Sequence, residues 1–238
     1  MKEGTGELVN PTYFKSIVGS LRYLTSTRLD IVYGVGLISR FMEQPQQSHL
    51  LVAKRILRYI SGTSNYGIMY SHTNEFCLTG YTDGDWAGDV EIWKSTSGYA
   101  LYLRDGVVSW SSKKQHVVAL SKAEAEYIAV TTAACQAVWL RRILEDLKHK
   151  QEGPTRIKCD NKSAIPLAKN LVLHGRSKHI GIRYHYIREF VKDGEIELEF
   201  YRTDEQVADI FTKGFSSDKF ELFRHMLGIE RLCIKEEC

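Results

Sequence analysis

Residues 76–83, Phe-Cys-Leu-Thr-Gly-Tyr-Thr-Asp, read as a β-strand ending on an acid, and the segments after it fix the kind of sheet it joins. Tyr99–Leu103 and Val107–Trp110 are two further strands, linked by the Arg104-Asp105-Gly106 hairpin turn. A long helix is predicted from Ser121 to about Lys148. Behind Pro154, Arg156–Asp160 forms a fourth strand, followed by a short helix to about Asn170. A helix over Lys178–Lys192 carries Ile180, Tyr184, Ile187 and Val191 as an apolar stripe. Ile196, Leu198 and Phe200 alternate with Glu197 and Glu199, the pattern of a half-buried strand. A closing helix is predicted from near Glu205. This is an α/β order, with one five-stranded mixed sheet flanked by helices.

Upstream, the period is helical. Phe14, Ile17, Val18, Leu21 and Leu24 recur at three- and four-residue spacing behind an Asn10 cap and Pro11. A second helix runs from near Asp30 to Phe41, and a third from a Ser48 cap to Gly62. The expected organisation is a helical segment over 1–72, the sheet domain over 73–215, and a C-terminal helix and tail over 216–238. With 238 residues and 43% hydrophobic content the chain can bury a core without staples. A net charge of +3 permits a nucleic-acid partner without demanding one. Five cysteines without a CxxC pair argue against a zinc site and a disulfide framework. With no secretory h-region and no apolar run of membrane-spanning length, an intracellular protein is expected, with no membrane partner.

Four acids sit where strands end or helices begin: Asp83, Glu126, Asp160 and Asp209. Each alone is an ordinary surface acid or cap. Gathered beyond strand ends they would repel one another, and divalent cations remove that cost. Glu124 and Glu126 compete for one position, since two residues on a helix span about 200°. Ser121 and Glu124 form a capping box, whereas Glu126 shares a face with Ala129, Val130, Ala133, Ala137 and Leu140. Asp85, behind Gly84, reads as loop.

Six runs carry a resemblance: Tyr-Thr-Asp83-Gly-Asp-Trp-Ala-Gly, Lys-Ser-Thr-Ser-Gly-Tyr, Val-Ser-Trp-Ser-Ser-Lys-Lys-Gln, Ala-Glu-Ala-Glu126-Tyr-Ile-Ala, Cys-Asp160-Asn-Lys-Ser-Ala and Val-Ala-Asp209-Ile-Phe-Thr-Lys. In this order they resemble the RNase H domain of Copia-type LTR retrotransposon Pol polyproteins. The upstream runs Ser-Ile-Val-Gly-Ser-Leu-Arg-Tyr-Leu-Thr and Ala-Lys-Arg-Ile-Leu-Arg-Tyr-Ile-Ser-Gly-Thr resemble the reverse-transcriptase segment before it. The resemblance implies an RNase H-like fold and an endoribonuclease that cuts the RNA strand of RNA–DNA hybrids. It implies that Asp83, Glu126, Asp160 and Asp209 hold two Mg2+ ions, or Mn2+ in their place. It also implies a reverse-transcriptase polymerase domain as partner, and a cytoplasmic particle or the nucleus as location.

Hybrid contacts are expected at phosphates and 2′-hydroxyls, through Ser121 at a helix start and the basic residues Lys113, Lys114, Arg176, Lys178, His179 and Arg183. Trp86, Trp110 and Trp139 read as core. Three features depart from the family pattern. Pro166 falls in the helix after Asp160, Gly181 replaces a common acid, and Thr203-Asp204-Glu205 lacks the histidine of cellular enzymes. Two rival readings follow: a non-catalytic hybrid- or RNA-binding protein, such as a remnant or host-adopted copy, and a nuclease active only with its polymerase partner.

Overall fold

The fold is described from a computed structural model, over residues 6–72, 76–89, 92–169 and 186–232. The chain divides into two units, one of residues 1–69 with 220–238, the other of residues 70–219.

In the first unit, α1 (Pro11–Leu24) starts as its sequence says, the Asn10 side chain accepting from the amides of Thr12 and Tyr13. Two single-turn helices, Leu29–Ile31 and Ser39–Phe41, flank α2 (Val32–Ile38). The third helix, α3 (Gln47–Gly62), is capped by Gln46 and not by Ser48. His49 reaches back to the Gln46 amide and closes a box that the serine reading missed. Phe14, Val18, Leu21, Val35, Ile38, Leu50 and Ala53 form the core between the three helices. A short strand, β1 (Tyr66–Ile68), ends this stretch.

The second unit holds the sheet. Its strands are β2 (Leu78–Gly84), β3 (Thr96–Leu103), β4 (Gly106–Lys114), β5 (Thr155–Cys159) and β6 (Ile196–Phe200), in the order β4-β3-β2-β5-β6. The first three pair antiparallel, while β5 runs parallel to both β2 and β6. This is the one five-stranded mixed sheet, flanked by helices, that the order of elements along the sequence predicts. The long helix α4 (Lys122–Asp146) buries Ala125, Ala129, Ala133 and Ala137. Leu78, Leu101, Ile157 and Leu198 belong to the same core. Small residues let the helix lie close: a β-carbon on Gly84 would stand 2.7 Å from the Ala125 carbonyl oxygen. Across the fold, one on Gly98 would stand 2.7 Å from Phe211 Cβ. Alanine would have to push each element off the sheet.

Between β5 and β6 lie α5 (Ala164–Lys169) and α6 (Tyr186–Lys192). Pro166 falls in the first turn of α5, where a proline removes no helical hydrogen bond. The predicted helix near Glu205 is two short 3₁₀ segments, Thr203–Glu205 and Val207–Phe211. The backbone amide of Gln206 closes the first on the Thr203 carbonyl, and its side chain caps the second, accepting from the Ala208 amide. An α-helix forms only later, as α7 (Ser217–Met226), followed by β7 (Ile229–Arg231).

That last stretch belongs to the first unit. β7 pairs antiparallel with β1, and Phe220 packs edge-on against Tyr59. A buried polar network holds the unit together. Arg28 grips Asp30 with Nε at 3.0 Å and Nη2 at 2.8 Å, and Tyr59 donates to Asp30 Oδ2 at 2.6 Å. Arg28 also donates to the carbonyl and hydroxyl of Thr63, and Arg224 of α7 donates to Tyr59. Burial beside Asp30 pushes the Tyr59 phenol up to about 12, which keeps it a donor.

Two of the three tryptophans expected in the core are on the surface. Trp86 is 55% exposed and Trp139 53%. Trp86 is fixed by its indole N–H on the Ala119 carbonyl, so its ring needs no further burial. Trp139 lies on the solvent face of α4, one position past Val138.

Candidate active site

Asp83 is the penultimate residue of β2, and Asp160 follows β5 directly. These two strands are parallel neighbours, so both carboxylates emerge at one sheet end. Glu126, in the second turn of α4, is fully buried against them. Asp83, Glu126 and Asp160 each offer an oxygen, and the three lie within 4.8 Å of one another. Asp209, on the 207–211 turn, is 1% exposed and flanks this group. Lys213 links it to the rest, with Nζ 2.8 Å from Asp209 Oδ2 and 3.9 Å from Asp83 Oδ2.

The choice between the two glutamates follows from these contacts. Glu124 accepts from the Leu120 amide at 2.9 Å while its own amide donates to Ser121 Oγ, so it caps α4. Glu126 accepts from the Gly84 amide at 3.1 Å through Oε2, while its Oε1 is buried with no donor among the described residues. Asp85 has a loop role, its carboxylate accepting from the Thr96 amide.

The electrostatics are those of acids crowded without enough positive charge. Burial, then Asp83 and Asp160, push Glu126 up to about 11. Burial and Asp83 push Asp209 up to about 7 against the opposing pull of Lys213. Burial works against the charge of Lys213, but Asp83 and Asp209 outweigh it and raise its pKa. Glu126 Oε1, Asp160 Oδ1 and Asp209 Oδ1 are buried and meet no hydrogen-bond donor among the described residues. Orphaned oxygens of this kind are costly unless a proton or a cation meets them. Carboxylate oxygen is also the donor that hard divalent ions take, so the cluster suits such a cation.

This has a testable consequence for stability. Glu126 and Asp209 keep their protons more tightly folded than unfolded, so the metal-free fold binds excess protons. Its stability therefore falls as pH rises above the ordinary 4.5 and 3.8 of the two groups, through about 7 for Asp209 and on toward 11 for Glu126. The slope is at most about 1.4 kcal/mol per pH unit for each group. In chelator at pH 8, Glu126→Gln is expected to melt above the parent chain, by a gap that narrows toward pH 5. A gap independent of pH would refute this assignment of the buried proton.

The expected hybrid contacts divide. Ser121 is exposed at the N-cap of α4, and Lys113 is exposed at the end of β4. Lys114 is engaged, with Nζ 2.6 Å from Asp89. Arg176, Lys178, His179 and Arg183, with Gly181, lie outside the described residues. The sequence reading missed Thr203, Thr212 and Lys213. Thr203 Oγ1 donates to Asp160 Oδ2 at 2.8 Å, and Thr212 Oγ1 to Asp83 Oδ2. The spacing from Asp209 to Lys213, four residues, was the available signal for the lysine.

No protein-family model matches the chain. Among curated proteins it is 43% identical to the retrovirus-related Pol polyprotein from transposon RE1 of Arabidopsis thaliana, over 95% of this chain and 15% of that one. It is 40% identical to that from transposon RE2 of the same plant, over 94% and 15%. With that from transposon TNT 1-94 of Nicotiana tabacum the figures are 43%, 91% and 16%. The chain thus spans about 15% of the length of the RE1 and RE2 polyproteins. Among solved structures, it matches LC11-RNase H1 from compost at 15% identity and a TM-score of 0.43, over 57% of this chain and 92% of that one. It matches an N-terminal RNase H domain from Mycobacterium tuberculosis at 15% and 0.43, over 63% and 97%. Sequence identity over nearly its whole length decides the matter: the chain belongs to the family of the Pol polyproteins of Copia-type retrotransposons, matching one stretch of them.

Proposed function

We propose that the chain is the RNase H part of a retrotransposon reverse transcriptase, an endoribonuclease that hydrolyses the RNA strand of RNA–DNA hybrids. In this reading residues 73–215 form the nuclease domain, behind a polymerase-derived segment at 1–72 and before a C-terminal helix and tail. The observation that carries it is the convergence of Asp83, Glu126 and Asp160, with buried oxygens of Glu126 and Asp160 that no donor among the described residues meets.

Asp83, Glu126, Asp160 and Asp209 would hold two Mg2+ ions, or Mn2+ in their place. When bound, such a pair supplies the charge that activates a water for in-line attack and stabilises the departing 3′ oxygen, leaving 5′-phosphate and 3′-hydroxyl ends. The residues of the chain do the rest. The four carboxylates fix where that charge sits, and Lys213 offsets part of their repulsion. Ser121 places a hydroxyl and the first amides of α4 toward a backbone phosphate. Lys113, exposed near the end of β4, adds positive charge. In this reading Arg176, Lys178, His179 and Arg183 also contact the hybrid's phosphates, and the choice of RNA over DNA rests on the 2′-hydroxyl at the cut.

The test is a labelled RNA–DNA hybrid incubated with the chain in Mg2+, in Mn2+ and in chelator, beside duplex DNA. Cleavage of hybrid RNA with either metal, none in chelator and none of duplex DNA, is the expected result. Because the chain spans only about 15% of its RE1 and RE2 relatives, a second reading has support: a nuclease that acts only beside the polymerase. Silence alone and cleavage on adding that domain would favour it. Binding without cleavage in every condition would favour a non-catalytic hybrid-binding protein.

A further inference from the structure

Two carboxylates of the cluster divide their oxygens in the same way. Glu126 Oε2 is held by the Gly84 amide and Asp160 Oδ2 by the Thr203 hydroxyl, while Glu126 Oε1 and Asp160 Oδ1 are buried and unmet. Asp83 follows in part, its Oδ2 accepting from Thr212. A carboxyl group turns freely about its last bond, because that torsion is broad. A donor on one oxygen removes this freedom and decides where the other oxygen points.

Both hydroxyls come from one stretch, residues 203–213, which also brings Asp209 and Lys213 to the cluster. Thr203 is the more telling of the pair. Its side chain stands on an exposed single turn, where packing does not require a threonine. Its hydroxyl nevertheless reaches a carboxylate that is only 8% exposed. Thr212 is buried, and its oxygen lies 3.1 Å from the Asp209 carbonyl as well as beside Asp83. Its single proton goes to the charged acceptor, since a hydrogen bond to a carboxylate is the stronger one. Branching at Cβ limits each hydroxyl to few rotamers, so the donor is itself held in place.

We infer that Thr203 and Thr212 are positioning residues for the metal site: their hydroxyls orient Asp160 and Asp83 so that the free carboxylate oxygens converge. This rests on the metal-dependent reading above. The stretch 203–213 therefore supplies one ligand, Asp209, and also aims two ligands carried by β2 and the end of β5.

The experiment is calorimetric titration of Mn2+ into the full chain without nucleic acid, for the parent and for Thr203→Val, Thr212→Val and the matching serine variants. Valine keeps the shape and removes the donor. Loss of such an outer contact weakens metal binding by about 10–100-fold, the effect expected of each valine. Each serine variant is expected to recover most of the affinity. Melting in chelator separates folding from orientation: Thr203→Val is expected to stay folded while melting somewhat below the parent, since Asp160 Oδ2 loses its donor. A folded Thr203→Val that binds Mn2+ like the parent would overturn the inference, as would serine variants as weak as the valines. A parent chain that binds no Mn2+ at millimolar concentration would instead overturn the metal-dependent reading on which it rests.

Discussion

Asp160→Asn is expected to lower cleavage of hybrid RNA by on the order of 10³-fold or more, with folding and hybrid binding retained. The substitution is nearly isosteric, and an asparagine oxygen can still accept from Thr203. What it removes is the charge on an oxygen that no donor among the described residues meets. Stabilisation by bound cations is worth several kcal/mol, and each ~1.4 kcal/mol is a factor of ten in rate. In chelator the variant should melt no lower than the parent, because Asp160 is one of the charges that crowd Glu126. Glu124→Gln is the matched control. Its carboxylate serves the Leu120 amide, so hybrid cleavage should persist near the parental rate. Asp160→Asn cleaving within about tenfold of the parent would remove that carboxylate from the mechanism.

The second large effect lies in the first unit. Asp30→Ala is expected to destabilise the fold by about 3–5 kcal/mol, the cost of leaving a buried partner charge uncompensated. Asp30 is 5% exposed and accepts from both Arg28 and Tyr59. Without it the Arg28 guanidinium, itself 7% exposed, keeps the two oxygens of Thr63 and the face of the Tyr59 ring, but no anion among the described residues. Removing both charges as Arg28→Met with Asp30→Leu should cost much less, since no lone ion remains. Urea unfolding of the three chains is the measurement. A double variant as unstable as Asp30→Ala would mean that shape, and not charge, sustains this network.

The sheet was legible from the alternation of Ile196–Phe200, the hairpin at Arg104-Asp105-Gly106 and the acids at strand ends, because these are local signals of backbone geometry. Glu126 was separable from Glu124 for the same reason: helical period puts the two on different faces, and Ser121 claims the nearer one. Reading failed where local preference and packing disagree. The stretch from Glu205 has helical composition, but the short path past β2 and β3 admits only 3₁₀ turns, and Gly98 lets Phe211 close in. Trp86 and Trp139 were misplaced because an aromatic reads as core wherever it sits, and only the fold shows which face it occupies.

Sequence by itself determined which acids stand at element ends, which glutamate faces the sheet, and the family to which the ordered motifs point. Those depend on periods of two and 3.6 residues and on turn chemistry, all written within a few neighbouring positions. Only the tertiary structure decided that β5 lies beside β2, so that Asp83 and Asp160 meet across 77 positions of chain. It also decided that Thr203, Thr212 and Lys213 serve the carboxylates, and that α7 and β7 return to Tyr59 and β1. Such pairings are chosen by the total burial and hydrogen bonding of distant segments against the entropy of closing the loops between them.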